Sequence, residues 1–422
     1  MTADTSADTG TSADTRPTDR QDERLTQATG LGGAARAQLD RLRAGDLGVV
    51  PVIGGLVLIA VVLQLLNPVF LSSTNLVNLL LESVPVGMIA LGIVVVLLVG
   101  QIDLSVGSVS GLSAATLAVL FVDQGQPALV ALLAAVLSGT VIGLFYGFVF
   151  TRFGIPSFVI SLAGLLGFLG LQLYVLRGIG SINLPFDSQL VYFAQLAFLP
   201  AWLSYVLVAA VAAGLLLTGL SRSRERRAAG LSGASTTFVV VRSVLVLVVA
   251  GAAVAYLNTA RGLGWMVVLF VALVLVMHYV LTRTKYGTYL FAVGGNVEAA
   301  RRAGIDVRRV YVGAFVTCST LAALGGVLAA SRLAAANQST GTGDVNLNAI
   351  AAAVIGGTSL FGGRGTAFAA LLGILVIQSI SSGLTLLNLD SSFRFMVTGA
   401  VLLLAVGVDS VARASRASHG RG

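Results

Sequence analysis

Cysteine occurs once in 422 residues, at Cys318 inside an apolar run, which excludes a disulfide framework and a thiolate metal cluster. The two histidines, His278 and His419, are equally isolated, so a buried thiol and an interfacial imidazole are the expected roles. Lys285 is the only lysine, and it stands between Thr284 and Tyr286. A phosphate-cradling loop ending in Gly-Lys-Ser/Thr is therefore missing, so nucleotide hydrolysis by this chain is not expected. Charge is scarce too, at 10% of residues. Hydrophobic residues make up 56%, with a mean hydropathy of +0.93, so the bilayer and its lipid are the expected solvent. The apolar runs hold no catalytic triad, metal-ligand cluster or carboxylate pair, so neither enzymatic chemistry nor a cofactor or metal site is expected. A net charge of +8 and a pI near 10.1 could suggest nucleic acid, but the arginines sit between apolar runs rather than on a basic face with aromatic readers.

What is present is a series of apolar runs. They are Val49 to Leu66, Val84 to Gly100, Leu104 to Val122, Ala128 to Phe150, Phe158 to Leu176 and Leu203 to Leu220. Six more follow: Phe238 to Leu257, Trp265 to Leu281, Val310 to Ala330, Leu347 to Leu360, Ala367 to Leu387 and Phe393 to Val408. Most can cross a hydrocarbon core of ~30 Å; the tenth and twelfth are short, which suggests broken helices. Thr74 to Leu81 and Leu190 to Pro200 are apolar but brief, and are expected at the interface or as re-entrant pieces. The fold class is thus an all-α polytopic transmembrane bundle of ten to twelve spans with short broken or re-entrant segments, over residues 46–411. Residues 1–45, with their Ala-Asp-Thr repeats, carry no apolar periodicity and read as a disordered cytoplasmic tail, and 412–422 as a second cytoplasmic tail. No small-residue cleavage site follows the first apolar run, so that span is expected to stay uncleaved.

Arginine placement orients the bundle. With both termini cytoplasmic, the inner side receives the tail arginines, Arg152, the Arg222 to Arg227 cluster, Arg242, Arg283, Lys285, Arg301 to Arg309, Arg364 and Arg413 to Arg421. Only Arg177, Arg261, Arg332 and Arg394 remain outside. So strong a skew implies an even number of spans.

Phe291 to Val307 (FAVGGNVEAARRAGIDV) is a polar connector between two spans. Asn296 can cap a helix with Glu298 in its first turn, and Gly304 can close it in the left-handed conformation. Ala299, Ala300 and Ala303 form one small-residue face, while Glu298 can pair with Arg301 and Arg302. A helix lying on lipid would show Leu, Phe or Trp. Ala and charge suit a groove in a protein partner instead.

Glu298-Ala299-Ala300 followed by Gly304 resembles the EAA-type coupling loop of ABC importer permeases. Gly100 to Ser108 (GQIDLSVGS) is similar to the GGIDLSVGS signature of carbohydrate permeases of the ribose/xylose type, departing at Gln101, where that family usually has Gly. Ala353 to Thr366 (AVIGGTSLFGGRGT) carries a third motif of the same family, and the GGN-EAAR-GI wording of the connector is that of its xylose-transport type. The resemblance implies a monosaccharide permease subunit working with a second permease copy in a homodimer, ATP-binding cassette subunits and an external sugar-binding protein in the cell membrane. It also implies that Asn296, Glu298, Ala299, Ala300, Arg301, Ala303 and Gly304 couple to the ATP-binding subunit.

Asp103 has two readings: cap of the third span, through the amides of Ser105 or Val106, or a place on the translocation path with Ser105 and Ser108. Gly356 and Gly357 likewise read as packing residues or as a border of the path. Two rivals remain, an ion-coupled secondary transporter, disfavoured by the scarcity of charge within spans, and a scaffolding protein, which would not require the polar connector.

Overall fold

The computed structural model describes residues 50–407, apart from Ile179, Ser391, Arg394, Leu402 and residues 404–406. Both expected tails, His419 and part of the twelfth expected span lie outside the described residues. In chain order the helices are α1 (Val50–Leu66), α2 (Ser73–Leu98), α3 (Val106–Ala118, continued by a π-helical turn at Val119–Asp123), α4 (Ala128–Phe153), α5 (Ser157–Val175), α6 (Gln189–Gln195), α7 (Ala201–Ala228) and α8 (Thr236–Leu257). They continue as α9 (Trp265–Arg283), α10 (Lys285–Gly295), α11 (Val297–Arg302), α12 (Val307–Leu333), α13 (Val345–Ile355) and α14 (Phe368–Leu386). One antiparallel ribbon, β1 (Ser181–Asn183) with β2 (Ala335–Asn337), pairs Ile182 with Ala336.

Among the described residues, nine helices are long and apolar enough to cross a membrane: α2, α3 with its π turn, α4, α5, α7, α8, α9, α12 and α14. The all-α polytopic expectation holds. The 11 residues of α13 rise only ~17 Å, about half of a hydrocarbon core, so the short tenth run is a half-span. One expectation is corrected. Thr74 to Leu81 is not a separate interfacial piece but the first two turns of α2, which runs unbroken through Glu82 and Pro85. Membrane helices tolerate such a proline because neighbouring groups compensate for the missing donor.

The chain forms two compact units. In residues 202–254, the end of α7 is tied to the loop before α8 by Ser223 Oγ donating to Ala234 O at 2.7 Å and Arg226 Nε donating to Ser232 O at 2.7 Å. The larger unit, 47–201 with 255–422, is centred on α2, whose stretch Met88 to Leu98 is buried without a break. A helix apolar on every side belongs in the middle of a bundle. Around it pack α12, α13, α14 and α9.

The tightest seam joins α4 to α12. Gly139, Gly143 and Gly147 recur every fourth residue and so form one ridge. A Cβ on Gly143 would lie 2.6 Å from Val316 Cα, and one on Gly147 2.7 Å from Val312 Cα. Missing side chains let the backbones touch, and Thr140 and Thr320 hydroxyls hydrogen-bond across the contact at 2.9 Å. Gly143→Leu is expected to cost about 3 kcal/mol by overpacking, read as a lowered melting temperature of the detergent-purified protein. Gly167→Leu, on a face of α5 with nothing within 4 Å, should melt like the wild type.

Candidate functional site

The connector after α10 folds as a helix closed at both ends. Asn296 Oδ1 accepts from Ala299 N at 2.9 Å. At the other end Gly304 N donates to Arg301 O and Ile305 N to Ala300 O, with Gly304 at φ +81°, the left-handed closure that glycine adopts cheaply. Glu298 pairs with Arg301 at 2.6 Å; with both side chains mostly exposed the pair contributes about 0.3–0.5 kcal/mol. No such bond joins Glu298 to Arg302 among the described residues. A second cap follows at once, where Asp306 Oδ1 accepts from Arg309 N at 3.2 Å to start α12. An aspartate immediately before an apolar-periodic run was the sequence signal for it.

The three alanines do not share one outer face. Ala300 is 3% exposed and packs into the main core beside Val297 and Ile305, which anchors the six-residue helix to the bundle. Ala299 and Ala303 stay exposed, one turn apart, with Glu298, Arg301, Arg302 and Gly304 around them. The exposed surface is therefore small at its centre and charged at its rim. Beside it, Arg301, Asp306, Arg308, Tyr311 and Thr151 line a cavity of about 510 Å³.

The three motifs, distant in sequence, meet at the base of this helix. Gly363 N donates to Leu98 O at 2.9 Å, tying the loop after α13 to the end of α2. A Cβ on Gly294, at the end of α10, would lie 1.7 Å from Leu98 O and 2.6 Å from Gly363 N. One on Gly362 would meet Gly294 O at 2.8 Å and Gly100 N at 2.9 Å. Backbone touches backbone on all sides of this junction, which joins Gly100 of the first motif, Gly294 of the connector and Gly362 and Gly363 of the third.

Deeper in the bundle lies the other group. Asp103 is fully enclosed; its Oδ1 accepts from Ser105 N at 2.8 Å and Ser105 Oγ at 2.7 Å, and Tyr146 OH donates to Ser105 Oγ at 2.7 Å. The cap expectation is corrected in detail: α3 begins at Val106 with Ser105 at its N-cap position, so Asp103 braces the turn before the helix. Asp103 Oδ2 is buried without a hydrogen-bond partner. Ser108 Oγ donates to Leu165 O at 2.9 Å. Gly356 lets the end of α13 touch α14, since a Cβ there would lie 1.9 Å from Ala369 O, and Gly357 turns the chain at φ +103° with open space around it. Tyr146, absent from the expected set, sits in a run read only as a span.

The sequence family described as branched-chain amino acid transport system / permease component matches residues 75–406. The xylose transport system permease protein XylH of Escherichia coli is 34% identical over 345 residues, 82% of this chain and 86% of that protein. XylH of Haemophilus influenzae is 31% identical over 81% of this chain and 90% of its own length. The ribose import permease protein RbsC of Bacillus subtilis is 32% identical over 84% and 90%. No solved structure matches the chain. With four-fifths of its length aligned to these permeases and a family match from the start of α2 through α14 and beyond, the chain belongs to the branched-chain amino acid transport system permease component family.

Proposed function

We propose that the chain is the membrane-spanning subunit of an ABC importer that carries a monosaccharide of the xylose type inward, in the cell membrane and with both termini cytoplasmic. The observation that carries this reading is the coincidence of two things. Similarity to xylose and ribose permeases spans four-fifths of the chain. Within it lies a polar connector, capped at both ends, whose exposed centre is Ala299 and Ala303. In this reading two copies of the chain pair with two ATP-binding subunits and an external sugar-binding protein. Asn296, Glu298, Ala299, Arg301, Ala303 and Gly304 form the docking surface, with Ala300 as its anchor. Closure of the ATP-binding subunits displaces α11, and the glycine junction passes the displacement to the end of α2 and to the loop that follows the half-span α13. Asp103, Ser105, Ser108, Gly356 and Gly357 border the route as its braced wall.

Reconstitution tests the reading. Liposomes holding the chain, its ATP-binding partner and the external binding protein are expected to accumulate xylose or ribose only with ATP inside. Uptake driven by a proton or sodium gradient without the ATP-binding partner would replace it with the ion-coupled reading. For the orientation, a fluorescent protein fused at the C-terminus should be bright and alkaline phosphatase at the same position inactive.

A further inference from the structure

Exposed positions on a membrane helix report which solvent the helix meets. On α4, Leu129, Leu133, Leu137, Leu144 and Phe148 are exposed and apolar, as lipid requires, and the exposed Arg152 falls only in the last turn. The outer half of α2 inverts this rule. Asn75 and Asn78 are half-buried and Glu82 is exposed, while Val77, Leu79 and Leu81 between them are buried. The three polar residues fall at three- and four-residue spacing and so share one face. An ionisable side chain facing hydrocarbon is costly, so the exposed Glu82 calls for water or polar groups against it.

The facing elements are polar in register. Gln378 of α14 donates to Glu82 Oε2 at 2.9 Å, and one turn on, Ser382 donates to Asn75 Oδ1 at 3.2 Å. Arg261, before α9, donates to Asn78 Oδ1 and lies 5.1 Å over the Phe198 ring. Arg332, near the end of α12, has a buried Nε without a hydrogen-bond partner, and Glu82 and Arg261 are the charges that act on it. Acceptors and donors of α2, α14 and the segment before α9 thus form one hydrogen-bonded polar patch, with the Arg261 guanidinium over Phe198 at its edge. Such a set suits a neutral polyhydroxylated ligand, whose hydroxyls can accept from guanidinium and amide groups and donate to a carboxylate.

We propose that Asn78, Glu82 and Gln378, with Arg261 and Arg332 at the rim, form a contact site for the transported sugar in the outer half of the bundle. The proposal rests on the transport reading above and adds to it where along the chain the sugar is touched.

Cys318, the only native cysteine, is buried and free, so introduced cysteines can be labelled against a silent background. The test uses the assembled transporter in intact cells, with Asn78→Cys, Gln378→Cys and the lipid-facing Leu137→Cys treated with a membrane-impermeant maleimide from outside. Asn78→Cys and Gln378→Cys should label and Leu137→Cys should not. Saturating xylose or ribose with the external binding protein should slow labelling by about fivefold or more, as occupancy of a site does. In parallel, Glu82→Leu should lose uptake while the ATP-binding subunit still co-purifies, and Glu82→Gln should recover part of it. Absence of labelling would place the stripe against lipid or a protein partner and overturn the proposal, as would labelling that neither sugar slows. Failure of the wild-type transporter to take up sugar with ATP would instead overturn the transport reading, so the two failures are distinct.

Discussion

Gly294→Ala is expected to abolish sugar uptake, while Gly295→Ala, one residue on, leaves it at the wild-type level. The two positions differ in what a methyl group would meet. At Gly294 it would lie 1.7 Å from Leu98 O and 2.6 Å from Gly363 N, whereas at Gly295 nothing lies within 4 Å. Both partners at Gly294 are backbone, held by the Gly363 N to Leu98 O bond, so no side chain can swing aside. Overpacking of this kind costs about 1–3 kcal/mol, and here it would separate the end of α10 from α2 and the third motif. Gly295→Ala instead replaces a helical glycine by a better helix former. Uptake assays on both variants at matched membrane levels check the pair, with gel filtration to show intact subunits. Wild-type uptake by Gly294→Ala would mean that the junction is looser than described and transmits nothing.

Ala303→Arg should insert normally, keep its melting temperature and yet lose both the ATP-binding subunit in pull-downs and sugar uptake. Ala303 is exposed and sits at the end of α11, so a long charged side chain there disturbs no contact within the chain but fills the surface proposed for the partner. Ala300→Arg provides the contrast. That residue is 3% exposed in the core, so the same substitution should destabilise the protein itself, because a charge is driven among apolar side chains. Gly304→Val tests the closure: no atom blocks the new side chain, but a β-branched residue at φ +81° costs about 1–2 kcal/mol or more, which frays the last turn and lowers uptake. Retention of the ATP-binding subunit and full uptake by Ala303→Arg would remove α11 from the coupling role.

The caps of α11 were legible because they depend on neighbours in sequence: Asn296 reaches Ala299, and Gly304 needs only its own backbone freedom. The half-span was legible from length alone. By contrast, Thr74 to Leu81 was read apart from α2 as too brief to cross, although the helix runs on through Glu82 and Pro85. Ala300 was grouped with Ala299 and Ala303 because composition cannot say which side of a short helix meets the bundle. The meeting of three motifs at Gly294 rests on contacts spanning nearly 200 residues in one direction and about 70 in the other, which no periodicity encodes. The glycine ridge of α4 was present in sequence at four-residue spacing, but its partner on α12 was not.

That ridge has a mechanical consequence. Only Ala303 to Asp306 separate α11 from α12, and Asp306 ties the start of α12 through both its carboxylate oxygens, to Arg309 N and Arg309 Nε. Because Gly139, Gly143 and Gly147 bring the α4 backbone against α12 with no side chains of their own to compress, the pair is expected to behave as a stiff beam. In the proposed coupling, a push delivered where α11 meets α12 is resisted along the seam rather than absorbed by sliding. It reaches the far end, where β2 follows α12 and pairs with β1, as a tilt of the whole beam.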